Sequence, residues 1–510
     1  MELNWKKTWM VLGLILVLGF GMRVYHLGNN AFVADEFLDM NSAYGYFKTG
    51  EWKAWDFNSG QSSQVNINEA RDERANIYKW QVAELFRVLP PTEATARSVS
   101  VFWGVVSMLV VFWSTLVFTK RKEVALIATF LFAVSVAGII FDRRLRMYAM
   151  FFPAYLAFAT TVYQALELEY RGRIKALRML WEKTGIHGCY ALLTALLGSI
   201  SLLVHQLSAV MAFSLAAYLL VQAVLAYRET KSVKNKYAVL FGLGMLSVGG
   251  LALVVPQFVR SFAAGLIWFD DHYSYIGYVL QDFAHPLLGV LLMVYGVHYL
   301  GIQMKDKKAA WYVTLSFLVP LALAIWFFHR NAGPQYIYFA QSFGLILAAL
   351  GMWRIWTAVS EKFPEWGKRG MYTALVFLFL LIPNYGYFLE ENNTYHETSS
   401  GGNPNYRKVF TFFKKERLAS DVLVTRNFRN YYFSGANVRI FDLGDEIDRS
   451  RMTVNQFLLI RESNPTGWVI LSDNDMNDYI SKDLRMYFER NLERVSNDQV
   501  RGSVFVYTWR

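Results

Sequence analysis

The sequence of 510 residues is 54% hydrophobic and 17% aromatic, contains 11 prolines and has a positive mean hydropathy. This composition excludes an ordinary soluble enzyme and predicts an integral membrane protein with many spans. The net charge of +11 comes from Lys and Arg residues that lie mostly in short connections between apolar runs, so we expect membrane lipids as partners and no nucleic acid. The single cysteine, Cys189, excludes an intrachain disulfide and a cysteine-based metal site.

Apolar runs long enough to cross a bilayer recur along most of the chain. Each has roughly 17 to 21 residues, the length that a bilayer core requires. They predict about eleven transmembrane helices, at residues 8–26, 98–118, 124–141, 148–165, 188–204, 207–226, 237–256, 285–302, 311–328, 336–356 and 371–389. The first run follows Lys6 and Lys7 and lacks the small-residue cleavage site of a signal peptide, so we expect it to be retained as a helix.

Every second connection between these runs is rich in Lys and Arg. The basic connections lie at residues 120–122, 171–178, 228–236, 305–308 and 362–369. By the positive-inside rule, these connections and the N-terminus are predicted to be cytoplasmic. The intervening connections, including the first loop at residues 27–97, and the C-terminal tail are then extracytoplasmic.

The composition turns polar after residue 390. Short β-rich runs at residues 421–425, 438–442, 468–472 and 503–508 alternate with amphipathic stretches, a pattern typical of an α/β domain. The sequence therefore predicts a mainly α protein: a polytopic transmembrane helical bundle at residues 1–390 and a small extracytoplasmic α/β domain at residues 391–510. The catalytic loop of the bundle is expected at residues 27–97.

Two adjacent acids, Asp35 and Glu36, follow the first span at its predicted outer end. Apolar residues recur at helical spacing directly after them and again later in the loop, at Phe37, Met40, Tyr44 and Phe47 and at Tyr78, Val82, Leu85 and Leu89. Both patterns predict amphipathic helices on the membrane surface that hold the acids at its edge. Asp35 also fits a helix N-cap, a position that favours Asp, and the two interpretations are compatible.

The connection between the third and fourth spans carries Arg143, Arg144 and Arg146, although its place in the alternation puts it outside. Arginine keeps its charge and can hold a phosphate through two parallel hydrogen bonds. A polyprenyl phosphate or diphosphate at the outer leaflet is therefore a suitable partner. The alternative is that these side chains extend to ordinary lipid head groups.

Further outer connections combine charged and aromatic residues. Arg260, Asp271 and His272 lie near Trp268 and three tyrosines, and Tyr336 opens a later span. This mixture suits the hydroxyls and the apolar face of a sugar ring, although interfacial aromatic belts have the same composition. The sequence contains no Gly-rich phosphate loop and no strong metal-binding spacing, which disfavours a nucleotide-sugar donor.

The order of these motifs resembles the C-type glycosyltransferases, in particular the protein O-mannosyltransferase and lipid A aminoarabinose transferase group. The matching stretches are short and extend over most of the chain. They are Arg23-Val-Tyr-His-Leu with Ala34-Asp35-Glu36, Tyr78-Lys79-Trp80 leading to Leu85-Phe86-Arg87-Val88-Leu89-Pro90, Thr92-Glu93-Ala94-Thr95-Ala96-Arg97, the turn from Arg143 to Tyr148 and the tail from Tyr406 to Tyr432.

The resemblance implies an inverting transfer of a hexosyl or pentosyl group from a polyprenyl-phosphate-linked sugar to a protein, lipid or glycan acceptor. It implies that Asp35 is the catalytic base and that Glu36 assists it or positions the acceptor. A divalent metal at this pair stays open, because some relatives use one, and no other cofactor is expected.

The resemblance gives a role to Lys79, and the residue patterns described above give roles to the arginines and to the mixed polar and aromatic residues. We assign the donor phosphate to Lys79, Arg143, Arg144 and Arg146, although Trp80 and Gln81 stand where many family members have a Pro pair after the lysine. We assign the substrate cavity to a mixed polar and aromatic set: Tyr78, Arg260, Asp271, His272 and Tyr336.

The expected location is a bacterial inner membrane. The alternative function is a transporter or flippase of lipid-linked sugars, which would bury charges near the middle of its spans. The spans here are nearly free of acidic residues, which favours chemistry at the surface. A sensor whose outer domain binds a ligand would depend on residues 403–510 rather than on Asp35.

Overall fold

The computed structural model describes residues 4–62, 75–257, 260, 272–328, 333–363, 367–391, 393–395, 404–443, 451–496, 500 and 502–510. The chain divides into two compact units. The first unit contains Met1–Arg23, Ser100–Asp142 and Met147–Gly386, and the second contains Val24–Val99, Arg143–Arg146 and Tyr387–Arg510.

Helices make up most of the described chain. In chain order they begin with α1 (Trp5–Val24), α2 (Ala34–Thr49), α3 (Asn76–Leu85), α4 (Glu93–Thr119), α5 (Lys122–Ala133), α6 (Val136–Asp142), α7 (Tyr148–Glu167), α8 (Lys175–Thr184), α9 (Gly188–Val204) and α10 (Val210–Thr230). They continue with α11 (Lys236–Val254), α12 (Ser274–Leu280), α13 (Pro286–His298), α14 (Lys307–Phe327), α15 (Gln341–Lys362), α16 (Gly367–Leu381), α17 (Tyr406–Glu416), α18 (Val454–Ser463), α19 (Asp473–Asp478) and α20 (Lys482–Asn491).

Among the described residues, eight helical segments are long and apolar enough to cross a membrane, by length and composition. Two further pairs, α5 with α6 and α8 with α9, pass the same criterion together but are bent by 60° and 85°. Ten of the eleven predicted spans contain one of these helices or bent pairs. The last predicted span, at residues 371–389, is the least complete, because α16 has only 15 residues. The protein is thus an integral membrane protein of the predicted helical class.

The predicted third span is broken rather than straight. α5 ends at Ala133 and α6 begins at Val136. The guanidinium of Arg23, on α1, donates to the carbonyls of Phe132 and Ala133 at 3.3 and 2.9 Å. At the other side of the break, the carboxylate of Asp282 accepts from the Ala137 amide at 3.1 Å. A cation at the end of one helix and an anion at the start of the next complement both helix dipoles, so side chains stabilise the break.

The basic connections of the first unit meet at one end of its helices. Lys120 pairs with Asp306 at 2.8 Å, and Lys308 pairs with Glu167 at 2.7 Å. The ammonium of Lys122 lies 4.7 Å from the ring of Trp5, near the N-terminus. Three of the connections that the sequence predicts on the cytoplasmic side contribute to these contacts, the third through Lys236, which donates to the carbonyl of Leu166. These three basic connections and the N-terminus therefore lie at the same end of the first unit.

The second unit contains all the strands of the described chain. They are β1 (Trp55–Asp56), β2 (Gln61–Ser62), β3 (Val422–Thr425), β4 (Arg439–Asp442), β5 (Gly467–Ser472), β6 (Glu493–Arg494) and β7 (Val504–Trp509). The five C-terminal strands form one sheet in the order β4-β3-β5-β7-β6, in which β3 is parallel to β4 and β5 while β7 is antiparallel to β5 and β6. Four of the five were predicted; β6 has only two residues and gives no sequence pattern.

β3 and β5 are buried along their whole length, which is typical of parallel strands covered on both faces. One face packs on Phe457 and Phe488 of α18 and α20. On the other face, Trp468 contacts the ring of Phe413 from α17, with ring centroids 5.5 Å apart. The sheet is therefore the centre of a small α/β domain.

The apolar face of α2 packs against protein and not against a membrane surface. Phe37 and Met40 are fully buried. The ring of Phe37 contacts Tyr406 and Tyr432 at centroid distances of 5.6 and 5.4 Å, and the side chain of Asn41 donates to the carbonyl of Phe428 at 2.9 Å. The predicted amphipathic helix exists, but our prediction that it lies on the membrane is wrong, because the C-terminal residues of the same unit cover that face.

Candidate active site

Asp35 lies in the first turn of α2. The helix begins at Ala34 with Val33 as its N-cap residue, so the N-cap interpretation of Asp35 is wrong by two positions. The side chain of Asp35 is 50% exposed, and its carboxylate lies 3.1 Å from the guanidinium of Arg146. The same guanidinium binds the carboxylate of Asp39 at 2.9 Å. Asp35 and Asp39 are four residues apart and share one helix face, which lets a single arginine bridge them.

Glu36 has a different environment from its neighbour. Its side chain is 1% exposed, and both carboxylate oxygens accept hydrogen bonds from Arg97 at 2.8 Å. The backbone amides of Leu145 and Val33 supply two more hydrogen bonds at 2.7 and 3.0 Å. Burial by itself raises the pKa of Glu36, but the charge of Arg97 and these hydrogen bonds outweigh it and hold the pKa below its usual value of 4.5. Glu36 is therefore an ionised group enclosed by donors.

The three arginines of the predicted phosphate site have separate surroundings. Arg143 is 4% exposed. Its guanidinium donates to the carbonyl of Tyr25 at 2.5 Å and lies 4.4 Å from the ring of Tyr395. Arg144 is partly exposed, and its charge interacts with those of Glu36 and Arg146. Arg146 is 13% exposed at the side chain and is bound to Asp35 and Asp39. The second unit thus collects the acidic pair and the arginine turn in one place.

Lys79 and Tyr78 are buried in α3. The ammonium of Lys79 donates to the hydroxyl of Ser42 at 2.9 Å and lies 5.3 Å from the ring of Trp52, and the residue is 1% exposed. Tyr78 is fully buried. In the described structure both residues therefore hold α3 within the second unit.

The other predicted cavity residues belong to the first unit. Arg260 is exposed, and Asp271 lies outside the described residues. The ring of His272 contacts that of Tyr275 at a centroid distance of 6.2 Å. Burial raises the pKa of Tyr275 to about 12, and the nearby hydroxyl of Tyr336 adds to this shift. His272, Tyr275 and Tyr336 thus form a cluster of polar rings.

Two residues of the site escaped the sequence analysis. The sequence contained a pattern that could have predicted the contact of Asp39. It follows Asp35 by four residues, and one helical turn brings the two side chains together. Arg97 was part of a matching stretch but received no role. Its signal is a cation among the first residues of an apolar span, where a buried partner such as Glu36 is to be expected.

Solved structures identify the fold. The oligosaccharyltransferase AglB from Archaeoglobus fulgidus, in complex with an inhibitory peptide and a dolichol-phosphate, superposes with a TM-score of 0.62 and 10% identity over 99% of this chain and 74% of AglB. ArnT from Cupriavidus metallidurans, bound to undecaprenyl phosphate, superposes with a TM-score of 0.55 and 10% identity over 98% of this chain and 97% of ArnT. The chain has the C-type glycosyltransferase fold.

The fold that the resemblance implied is confirmed. The Archaeoglobus fulgidus oligosaccharyltransferase in complex with Zn and sulfate also superposes, with a TM-score of 0.55 and 12% identity over 98% of this chain and 72% of that protein. No family model matches the sequence, and no curated protein sequence matches it.

Proposed function

We propose that this protein is a membrane glycosyltransferase. It moves a sugar from a polyprenyl-phosphate-linked donor to a protein, lipid or glycan acceptor on the outer face of the membrane, with Asp35 as general base. The support comes from the C-type fold and from two structures of that fold, one containing dolichol-phosphate and the other undecaprenyl phosphate.

The observation that carries the proposal is the position of Asp35. Its carboxylate is half exposed while its neighbour Glu36 is enclosed, so one member of the acidic pair is accessible to an acceptor. Arg144 and Arg146 lie in the same unit as Asp35 and supply positive charge beside its carboxylate. A base next to cations suits a reaction in which a proton leaves the acceptor while negative charge develops on a phosphate.

The reaction requires one bond to form and one to break. The acceptor hydroxyl or amine gives its proton to the carboxylate of Asp35 while its oxygen or nitrogen bonds to the anomeric carbon of the donor sugar. The bond from that carbon to the phosphate oxygen breaks, and its electron pair leaves with the polyprenyl phosphate. Attack opposite the leaving group inverts the anomeric configuration. The guanidinium groups stabilise the additional negative charge on the departing phosphate.

We assign the donor phosphate to Arg144 and Arg146. Arg144 is partly exposed, and a guanidinium can bind two phosphate oxygens in parallel. Arg146 bridges Asp35 and Asp39 and thereby also orients the base. Arg143 and Lys79 are buried against backbone carbonyls and a hydroxyl, so their contribution to the site is to hold its framework.

A metal at Asp35 and Glu36 is not part of the proposal. Each oxygen of Glu36 already accepts two hydrogen bonds, so its lone pairs are used. Within the described ranges, no group of three or more His, Cys, Asp or Glu side chains is arranged to hold a metal ion. The residues present therefore do not fit a metal centre at this pair.

In this proposal, His272 and Tyr336 bind the sugar. Aromatic rings pack on the apolar face of a sugar, and phenol and imidazole groups can hydrogen bond to its hydroxyls. The cluster with Tyr275 provides both kinds of contact. Arg260 and Asp271 belong to the same proposal on sequence grounds alone.

The test is transfer of radiolabelled sugar from a panel of polyprenyl-phosphate sugars by the purified protein in detergent. Asp35→Asn is expected to lower the rate by a factor of about 100 or more, because general-base catalysis contributes that much. Asp483→Asn is a matched control, since Asp483 is an exposed acid in the first turn of α20, and it should leave the rate unchanged.

Two results would contradict the proposal. Full turnover by Asp35→Asn would remove Asp35 as the base. Saturable binding of the lipid by a folded wild-type protein, with no transfer from any donor, would favour the transporter instead.

A further inference from the structure

The segment at residues 25–31 joins α1 to α2 and ends three residues before Ala34. Every backbone carbonyl of this segment accepts a hydrogen bond from an arginine side chain, at donor–acceptor distances of 2.5 to 3.5 Å. Arg143 binds the carbonyls of residues 25 and 26, Arg97 those of residues 27, 30 and 31, and Arg407 those of residues 28, 29 and 30. We call this segment with its three arginines the carbonyl cradle.

The cradle surrounds an irregular backbone segment that includes one strained residue. His26 has a φ of 52°, in the left-handed region that costs energy for residues other than glycine. Residues 25–31 contain no strand or helix of the named elements. A strained and irregular segment keeps one geometry only when its surroundings fix it, and here three planar guanidinium groups supply that constraint.

Arg407 brings the C-terminal domain into the cradle. It lies on α17, and its guanidinium donates to Glu93 at 2.7 and 3.0 Å. The hydroxyl of Tyr432, from the same part of the chain, donates to Glu93 at 2.9 Å and accepts from the amide of Phe32 at 2.6 Å. The fixed backbone therefore continues from residue 31 to Phe32, and the next amide, of Val33, binds Glu36.

This chain of contacts ends at the proposed base. Asp35 is the second residue of α2, so the position of its carboxylate depends on where residues 25–33 place the start of that helix. A displacement of about 1 Å in a catalytic group can cost a factor of about 100 in rate. Arg407 is the cradle arginine best suited to a test, because its side chain is 38% exposed and its truncation leaves no large cavity.

We propose that Arg407 is a positioning residue for Asp35, and that the C-terminal α/β domain is for this reason a working part of the transfer site. The proposal rests on the proposed function of Asp35. It predicts that loss of Arg407 slows the chemical step and leaves donor binding nearly intact, because Arg407 binds backbone carbonyls and Glu93 rather than the donor.

The kinetic test compares three single variants with the wild-type protein. Arg407→Ala should lower kcat by a factor of about 10 or more while the KM for the donor changes by less than a factor of about 3. Arg407→Lys keeps the charge and one or more of the donors, so it should recover part of kcat. Lys414→Ala, an exposed residue on the same helix, should match the wild type.

A double variant separates positioning from a general structural role. If Arg407 acts through Asp35, adding Arg407→Ala to Asp35→Asn should cause no further loss in single-turnover rate. Losses that multiply would overturn the positioning role. Hydrogen exchange gives a readout without activity: the amides of residues 25–36 should exchange faster in Arg407→Ala than in the wild type, and unchanged exchange would also overturn the proposal.

The outcomes distinguish this inference from the proposed function. A wild-type protein that transfers no sugar overturns the proposed function, and the positioning role falls with it. A wild-type protein that transfers sugar at a rate unchanged by Arg407→Ala overturns the positioning role alone.

Discussion

Glu36 and Asp35 are adjacent acids with opposite surroundings. The exposed Asp35 shares Arg146 with Asp39, while the enclosed Glu36 has Arg97 as its ion-pair partner. Forming such a buried ion pair requires the desolvation of two charges, which costs free energy. Removing one partner, however, leaves the other charge buried without compensation. Glu36 therefore contributes to the stability of the second unit and to the position of α2, and we propose that the chemistry is carried by Asp35.

Replacement of Glu36 should test this division of roles. Glu36→Gln is expected to lower the free energy of unfolding by about 3 to 5 kcal/mol, because Arg97 loses its counter-charge. Glu84→Gln is the matched control, since its ion pair with Arg87 joins side chains that are 36% and 60% exposed, and it should cost less than about 1 kcal/mol. Thermal unfolding of the purified variants in detergent measures both, and equal losses would contradict a special role for Glu36.

The same pair predicts a pH dependence. The pKa of Glu36 is below its usual value of 4.5 in the folded protein, so the folded state binds the proton more weakly than the unfolded state. The stability gained from Glu36 is therefore fully present above pH 4.5 and is lost as the pH falls through the folded-state pKa. We expect the difference in unfolding temperature between wild type and Glu36→Gln to shrink on acidification. A constant difference from neutral pH to acid would show that the ion pair does not titrate in this way.

At the scale of elements, the break between α5 and α6 depends on Arg23. This arginine is fully buried, pairs with Asp142 at 2.7 Å and also binds two carbonyls at the end of α5. Asp142 is the last residue of α6, so Arg23 holds both halves of the broken span. The bend of 60° is therefore a defined feature with its own stabilising contacts.

Arg23→Ala should destabilise the first unit by about 3 to 5 kcal/mol, since it leaves the buried carboxylate of Asp142 without its partner. Adding Asp142→Asn should recover part of that loss, because it removes the uncompensated charge. Lys6→Ala, an exposed change on the same helix, should stay within about 0.5 kcal/mol. Thermal unfolding in detergent gives the three values, and a double variant less stable than Arg23→Ala would contradict the explanation.

These elements show which features could be predicted from sequence. The transmembrane spans could be predicted from sequence, because their length and apolar composition are local properties that a bilayer imposes. The bend between α5 and α6 could not be predicted from sequence. Its stabilising contacts join Arg23 to Phe132 and Ala133, which lie 109 and 110 positions further along the chain. The site shows the same division: Asp35 and the arginine turn were recognised as separate motifs, but the contact between Asp39 and Arg146 spans 107 positions. The enclosure of Glu36 depends on Arg97 and Leu145, which are 61 and 109 positions away, so the residues around Glu36 do not show it.

At the scale of the whole molecule, the distribution of charge determines orientation. The basic connections that form contacts at one end of the first unit are those at residues 120–122, 228–236 and 305–308. Lys and Arg near the ends of spans are retained on the cytoplasmic side during insertion. The end that carries these connections is therefore expected to face the cytoplasm, and the C-terminal domain to face outward as the sequence predicts.

Cysteine labelling can test this orientation, because the chain has a single cysteine and Cys189→Ser removes it. In that background, Lys305→Cys places a thiol at the basic end and Asp483→Cys places one on the C-terminal domain, both at exposed positions. A membrane-impermeant maleimide should label Asp483→Cys in intact cells and Lys305→Cys only after permeabilisation, while the Cys189→Ser parent should stay unlabelled. The reverse pattern would put Asp35 on the wrong side for an outer-face transfer, and a sugar donor made in the cytoplasm would then reach the site without crossing the membrane.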